Sequence, residues 1–173
     1  MAFAKVTYER PENISIVVTE PGTARSGTSA PVEVAPGKVR RLEVTADPSA
    51  EAGAPFVVKV RALDSRGNVT QAPNTKISLN IAGSVSTSAI EIPAAGFKNG
   101  SAERKVTYNL AEEIMISAFD AAGNFQSEAA HVRIRPGPVS SVDVSVPPSV
   151  NAGAGILVSL TALDAYRNTV ADF

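Results

Sequence analysis

Three Asp–Asn pairs at one spacing offer the first chemistry in this chain: Asp64 and Asn68 in "DSRGN", Asp120 and Asn124 in "DAAGN", Asp164 and Asn168 in "DAYRN". Carboxylate and amide oxygens are the hard ligands that calcium takes, so Asp64, Asn68, Asp120 and Asn124 are candidate calcium ligands. The same residues also build turns, because Asp and Asn side chains bond the backbone two residues on and Gly supplies a positive φ. Calcium takes about 6–8 oxygens, and the local sequence offers fewer carboxylates than such a site ordinarily uses. Turn chemistry is the preferred reading; no cofactor is expected, and calcium is the one metal candidate.

Other reactive residues are sparse. His131 is the single histidine, and alternation places it on the polar face of a strand with Arg133 and Arg135. A nucleophilic site would need that histidine beside an activated Ser and an orienting acid, and no G-x-S-x-G stretch is present. Glu112 and Glu113 are adjacent, but neighbours in a strand point to opposite faces. They read as a strand start near a turn rather than as two acids flanking a sugar. No catalytic residue is assigned, and no enzyme activity is expected. Lys38, Arg40, Arg41, Arg133 and Arg135 lie near two Pro-Gly pairs and form a candidate patch for an acidic surface glycan or lipid headgroup. The preferred reading is the solvated outer face of strands, where such charges discourage edge-to-edge aggregation. Tyr8 and Tyr108 read as half-buried structural aromatics with hydroxyls at the sheet margin. Asn13, Asn68 and Asn99 fit the glycosylation sequon, a weak signal in a chain this rich in Ser and Thr.

Composition narrows the classes further. The chain is 44% hydrophobic, mostly Val, Ile and Ala, with 5% aromatics and no Trp. Branched residues suit a pleated, half-buried surface, and the shortage of aromatics speaks against a sugar-binding platform. The 16 basic and 17 acidic residues are interspersed, without the clustered excess that neutralises nucleic-acid phosphates. No apolar run approaches the roughly 20 residues that span a bilayer. The first residues lack the pattern of a secretory signal, so an export signal is expected outside this chain. The absence of Cys excludes disulfides and thiol catalysis.

The elements that position these residues repeat. "KVTY" occurs at Lys5 and again at Lys105, and the offset of 100 holds throughout. Ile14 and Ile16 match Ile114 and Ile116, Pro36-Gly37 matches Pro136-Gly137, and Ala62-Leu63-Asp64 matches Ala162-Leu163-Asp164. Pro-Gly pairs punctuate, so they mark the junctions. Residues 36–135 are then one complete unit. Residues 1–35 form the C-terminal part of a preceding unit, and residues 136–173 the N-terminal part of a following one.

Within the complete unit the alternation has a period of two. "VRRLEVTA", "FVVKVRALD", "TKISLNIAG", "EEIMISAFD" and "AAHVRIRPG" read as strands, with Val58, Val60, Ala62, Ile77, Leu79, Ile81, Val132 and Ile134 turned inward. Asn99-Gly100 is a strong hairpin signal. Short strands, frequent turns and no helical periodicity predict an all-β, antiparallel β-sandwich repeated in tandem.

"AGAPFVVKVRALDSRGNVT", "GSAERKVTYNLAEEIMISAFDAAGN" and "VRIRPG" resemble the tandem immunoglobulin-like repeats of large bacterial surface and secreted proteins. Arg167 departs from the pattern by replacing the glycine of "DSRGN", and the first unit has "TEPGTA" where the complete unit has "FDAAGN". The resemblance implies an extracellular or cell-surface stalk or spacer, as in surface fibres and adhesins, whose partners are neighbouring repeats. One alternative is a subunit of a self-assembling filament, in which residues 136–173 of one copy meet residues 1–35 of the next. Another is a carbohydrate- or calcium-binding accessory module of a secreted protein. Neither nucleic-acid binding nor membrane insertion is expected.

Overall fold

Alternating Val and Ile become strands, and Pro-Gly pairs separate them into groups. The computed structural model describes residues 3–71, 73–85, 87 and 89–171. Before Pro36-Gly37 lie β1 (Asn13–Ile14), β2 (Val17–Thr19), β3 (Ser26–Thr28) and β4 (Val32–Glu33). Then follow β5 (Arg41–Ala46), β6 (Ser49–Glu51), β7 (Phe56–Leu63), β8 (Ile77–Ala82) and β9 (Ile90–Ile92). The set is completed by β10 (Ser101–Val106), β11 (Glu113–Asp120) and β12 (Ala130–Arg135). Beyond Pro136-Gly137 lie β13 (Ser141–Ser145) and β14 (Ser159–Leu163).

Residues 36–135 fold into two facing sheets. One has the order β10-β7-β5 and the other β6-β12-β11-β8-β9. The residues expected to point inward do so: Val58, Val60, Ala62, Ile77, Leu79, Ile81, Val132 and Ile134 are all buried, together with Ile114, Ile116 and Val106. Each Val, Leu or Ile side chain removed from water contributes about 1.5–3 kcal/mol, so the interleaved faces are the main source of cohesion. Three strands packed over five around one core make an immunoglobulin-like β-sandwich.

Two details depart from the sequence expectation. The sandwich is antiparallel except at β6, which pairs in parallel with β12. The first strand runs as β5 beside β7, then meets Pro48, which has no N–H to donate to a ladder. The chain steps across there, the Pro48 carbonyl accepts from Arg133 N–H at 2.9 Å, and β6 continues on the other sheet. The second departure is at Asn99-Gly100. Both residues take the expected positive φ, 48° and 74°, but the turn closes only one bridge, Lys98 to Ser101. β10 then pairs with β7 rather than β9, because burying Ala102 and Val106 requires the opposite sheet.

Strand pairing recurs along the chain. Ile14 opposes Val32 as Ile114 opposes Val132, and Val142 opposes Ala162 as Leu42 opposes Ala62. Burial recurs beside the linkers, where Ala162 and Leu163 are as buried as Ala62 and Leu63, but not farther along the strands. Val44 is 8% exposed and Val144 62%, while Val106 is 2% exposed and Val6 63%. The strands flanking the sandwich carry the same apolar faces without a second sheet over them.

Candidate functional site at the Pro-Gly junctions

The Asp64 turn forms because β7 ends at Leu63 and the chain must reverse within a few residues. Asp64 N–H donates to the Asn68 carbonyl (2.9 Å), and Gly67 N–H donates to the Asp64 carbonyl (3.2 Å). The Asp64 side chain is buried inside this turn and accepts four bonds. Oδ1 takes the N–H groups of Arg66 (2.8 Å) and Asn68 (2.9 Å). Oδ2 takes the Gly37 N–H (3.0 Å) and the Asn68 side-chain amide (3.1 Å). The same carboxylate that closes the turn therefore ties down the Pro36-Gly37 linker. Thr70 holds the other side of Gly37, donating its hydroxyl to the Gly37 carbonyl at 2.6 Å.

The carboxylate arrangement is reproduced after the second linker, although Val170 stands at the Thr70 position and has no hydroxyl to donate. Asp164 Oδ1 accepts from Tyr166 and Asn168 N–H, each at 2.8 Å. Its Oδ2 accepts from Gly137 N–H at 2.9 Å and from the Asn168 amide at 2.7 Å. Asp120 closes its own turn in a looser form, accepting from Phe125 N–H (2.8 Å) and the Asn124 amide (3.1 Å). Burial acts to raise the pKa of each of these carboxyls. The converging N–H donors outweigh it, and all three are held below the ordinary Asp value.

Asn68 and Asn168 also reach beyond their own turns. Asn68 Nδ2 donates to the Glu9 carbonyl at 2.9 Å, and Arg66 Nε lies 3.0 Å from the Glu9 carboxylate. Asn168 Nδ2 donates to the Asn109 carbonyl at 2.8 Å, and its Oδ1 accepts from Ala111 N–H at 2.8 Å. Tyr166 lies against Gly53, where a Cβ would overlap the ring. Of the residues first considered as calcium ligands, Asp64 and Asp120 thus have carboxylates that accept protein N–H groups, and the side-chain amides of Asn68 and Asn124 donate to them. Among the described residues, no three His, Asp or Glu side chains gather at one point.

One network escaped the sequence reading. Tyr108 is buried and donates its hydroxyl to Glu112, whose carboxylate also accepts from Ser84 N–H (2.8 Å) and the Ser84 hydroxyl. Hydrogen bonds from Ser84 and Tyr108 hold the Glu112 carboxyl below its ordinary pKa. Burial and the bond to that carboxylate push the Tyr108 phenol up. Tyr8 makes the equivalent bond to Glu12 in the open. The recurrence of Tyr-x-x-x-Glu at the repeat offset was the available signal.

The other candidates remain apart. Glu113 starts β11 and meets His131 Nδ1 at 3.0 Å, both side chains exposed, while Glu112 faces Tyr108. Arg40 and Arg41 line one surface groove and Lys38 another, and neither groove includes Arg133 or Arg135. Arg135 instead donates to the Ser49 hydroxyl at 2.8 Å. Of the sequon residues, Asn13 is exposed in β1, Asn68 is engaged at the junction and Asn99 occupies a turn.

No protein-family model matches the chain, and no curated protein matches it. Among solved structures it is similar to the superoxide reductase neelaredoxin from Ignicoccus hospitalis, with 13% identity and a TM-score of 0.38. That match covers 56% of this chain and 82% of that one. The sulfur carrier protein SoxY from Chlorobium limicola f thiosulfatophilum gives 15% identity and a TM-score of 0.36, covering 57% and 87%. The chicken CNTN1 FN1-FN3 domains give 16% identity and a TM-score of 0.35, covering 83% of this chain and 51% of that one. Scores at this level tie the chain to none of the activities in those names.

Proposed function

We propose that this chain is a structural stalk or spacer segment of an extracellular repeat protein, with residues 36–135 as one complete repeat between parts of two others. The observation that carries the reading is the repeated junction. A buried Asp ties down each Pro-Gly linker, and an Asn from the same turn grips the backbone on the preceding side. Such bonds resist bending between successive units, which is what a spacer requires. The reading contains no catalytic step, and its partners are neighbouring repeats. No helix among the described residues is long and apolar enough to cross a membrane.

Light scattering coupled to size-exclusion chromatography, followed by small-angle X-ray scattering, tests it. A spacer gives a monomeric mass at micromolar concentration and a scattering profile that stays elongated on adding calcium or glycans. A mass that climbs with concentration would instead support the filament reading. That second reading is favoured by the apolar faces of β13 and β14, where Val142, Val144 and Leu160 are exposed. Calorimetry with calcium addresses the accessory-module version; a raised melting temperature on adding the ion would displace the spacer reading of these turns.

A further inference from the structure

The two junctions are built alike but are not bonded alike. Asn168 makes two bonds to the preceding segment, donating to the Asn109 carbonyl and accepting from Ala111 N–H. Asn68 makes the first of these, to the Glu9 carbonyl. The residue at the position of Ala111 is Pro11, which has no N–H, so the second bond cannot form there. Burial follows the bonding: Asn168 is buried and Asn68 only half-buried.

The contacts beside each Asn also diverge. At the first junction Arg66 pairs with Glu9, and both side chains remain largely exposed. A pair of this kind is weak and screened by salt. At the second junction the Arg66 position is taken by Tyr166, whose ring covers Gly53. Gly53 is itself fixed, because its N–H donates to the Tyr108 carbonyl at 2.9 Å. On this ledge the second junction therefore combines two hydrogen bonds from Asn168 with an aromatic contact, and the first combines one from Asn68 with an ion pair. At the linker itself the first keeps the Thr70 hydroxyl bond to Gly37, which Val170 cannot make at the second.

We infer that the backbone ledge at residues 109–111 is a docking surface for the Asp-x-x-x-Asn turn of the next repeat, and that its third residue sets the grip. An N–H there, as at Ala111, gives a two-bond stiff latch; a proline, as at Pro11, gives a one-bond junction that bends. The partner this surface fits is a copy of the same repeat, presenting Asn with an aromatic contact beside it, as Tyr166 does. This rests on the spacer reading for its purpose, and it adds that the spacer has graded flexibility encoded by one residue per junction.

Exchange of the Ala111 amide in the whole chain, followed by NMR, is the direct test. Asn168→Ala should speed that exchange about fivefold, the change expected for one lost hydrogen bond, while the β11 core amides keep their protection. Pro11→Ala should give position 11 a protected N–H. Because the chain has no Cys, spin labels can be placed at Thr28→Cys and Lys105→Cys, or at Lys105→Cys and Ser145→Cys. The distance distribution across the first junction should be the broader one, should broaden further in high salt, and should narrow with Pro11→Ala. Unchanged Ala111 exchange in Asn168→Ala, or equal widths at the two junctions, would overturn the latch. Failure of the spacer reading is seen separately, as a mass above the monomer, since labels diluted with unlabelled chain still report each junction within one molecule.

Discussion

Asn168 donates its side-chain amide to the Asn109 carbonyl at 2.8 Å across 59 residues of sequence, while the same amide group bonds Asp164 at 2.7 Å. Asn68 bridges Glu9 and Asp64 in the same way. One side chain thus belongs both to a local turn and to a contact between segments. The Asp that orients the Asn also holds the linker glycine. Turn stability and junction stability are therefore coupled through a single carboxylate.

Replacing that carboxylate should be costly. Asp64→Ala leaves the N–H groups of Gly37, Arg66 and Asn68 without their acceptor, and bonds to a charged group contribute about 1.5–3 kcal/mol each. Water recovers part of that at a surface turn, so a loss of about 2–3 kcal/mol is expected in urea unfolding of the sandwich. Asp120→Ala should cost less, since its carboxylate accepts two bonds rather than four. Equal costs at the two sites would contradict the count of bonds.

Acid should act through the same groups. Asp64, Asp120 and Asp164 are depressed below an ordinary value of 3.8, and Glu112 below 4.5. A carboxyl with a lower pKa in the folded state stabilises the fold fully above its unfolded value. That contribution is lost as pH falls through the window down to the folded value. The urea midpoint should hold steady from neutral pH to about pH 5 and then decline below about pH 4. A midpoint unchanged down to pH 2.5 would show that these bonds do not bear on stability. Asp64→Ala should flatten the decline.

Much of the fold could be read from residue order, because burial and strand period coincide. Val58, Val60 and Ala62 face inward while Lys59 and Arg61 stay less buried, as alternation requires. Where alternation is short, the reading failed. β6 has three residues with no apolar pattern, and its parallel partner β12 lies 84 residues on from Ser49 to Arg133, a pairing no local signal specifies. The Asp and Asn residues were visible as turns, since the spacing and glycine are local. Their grip on Glu9 and Asn109 was not, because a backbone carbonyl carries no residue-type signature.

Arg167 tests how firmly the last turn is imposed. It occupies the left-handed region at φ 67°, where its counterpart Gly67 sits at 86°. A side chain there costs about 1–2 kcal/mol in the folded state. The Arg167–Asp143 pair, 2.7 Å and exposed, offsets at most a part of this. Arg167→Gly should raise stability by about 0.5–1 kcal/mol in thermal unfolding. A drop in melting temperature would mean that the ion pair outweighs the strain.

The tyrosines at positions 8 and 108 should respond unequally. Tyr108→Phe removes the bond from a buried hydroxyl to Glu112, in a part-buried network that also fixes Ser84 and, at 3.3 Å, the Val85 N–H. A loss of about 1–2 kcal/mol is expected. Tyr8→Phe breaks a bond between exposed groups and should cost no more than about 0.5 kcal/mol. Denaturant unfolding of both variants gives the comparison, and equal costs would contradict the burial difference.

Gly53 and Tyr166 provide a double-mutant test of the contact across the second linker. Gly53 has φ 79°, so Gly53→Ala carries backbone strain of about 1 kcal/mol whatever surrounds it. A methyl group there also meets the Tyr166 ring, which must swing away and expose apolar surface. In a chain already carrying Tyr166→Ala, only the strain remains. The cost of Gly53→Ala should therefore fall by about 0.5–1 kcal/mol in that background, measured by unfolding of the whole chain. Equal costs in both backgrounds would show that the ring does not rest on Gly53 in solution. A coupling of the expected sign would place Tyr166 against the sandwich without reference to the hydrogen bonds of Asn168.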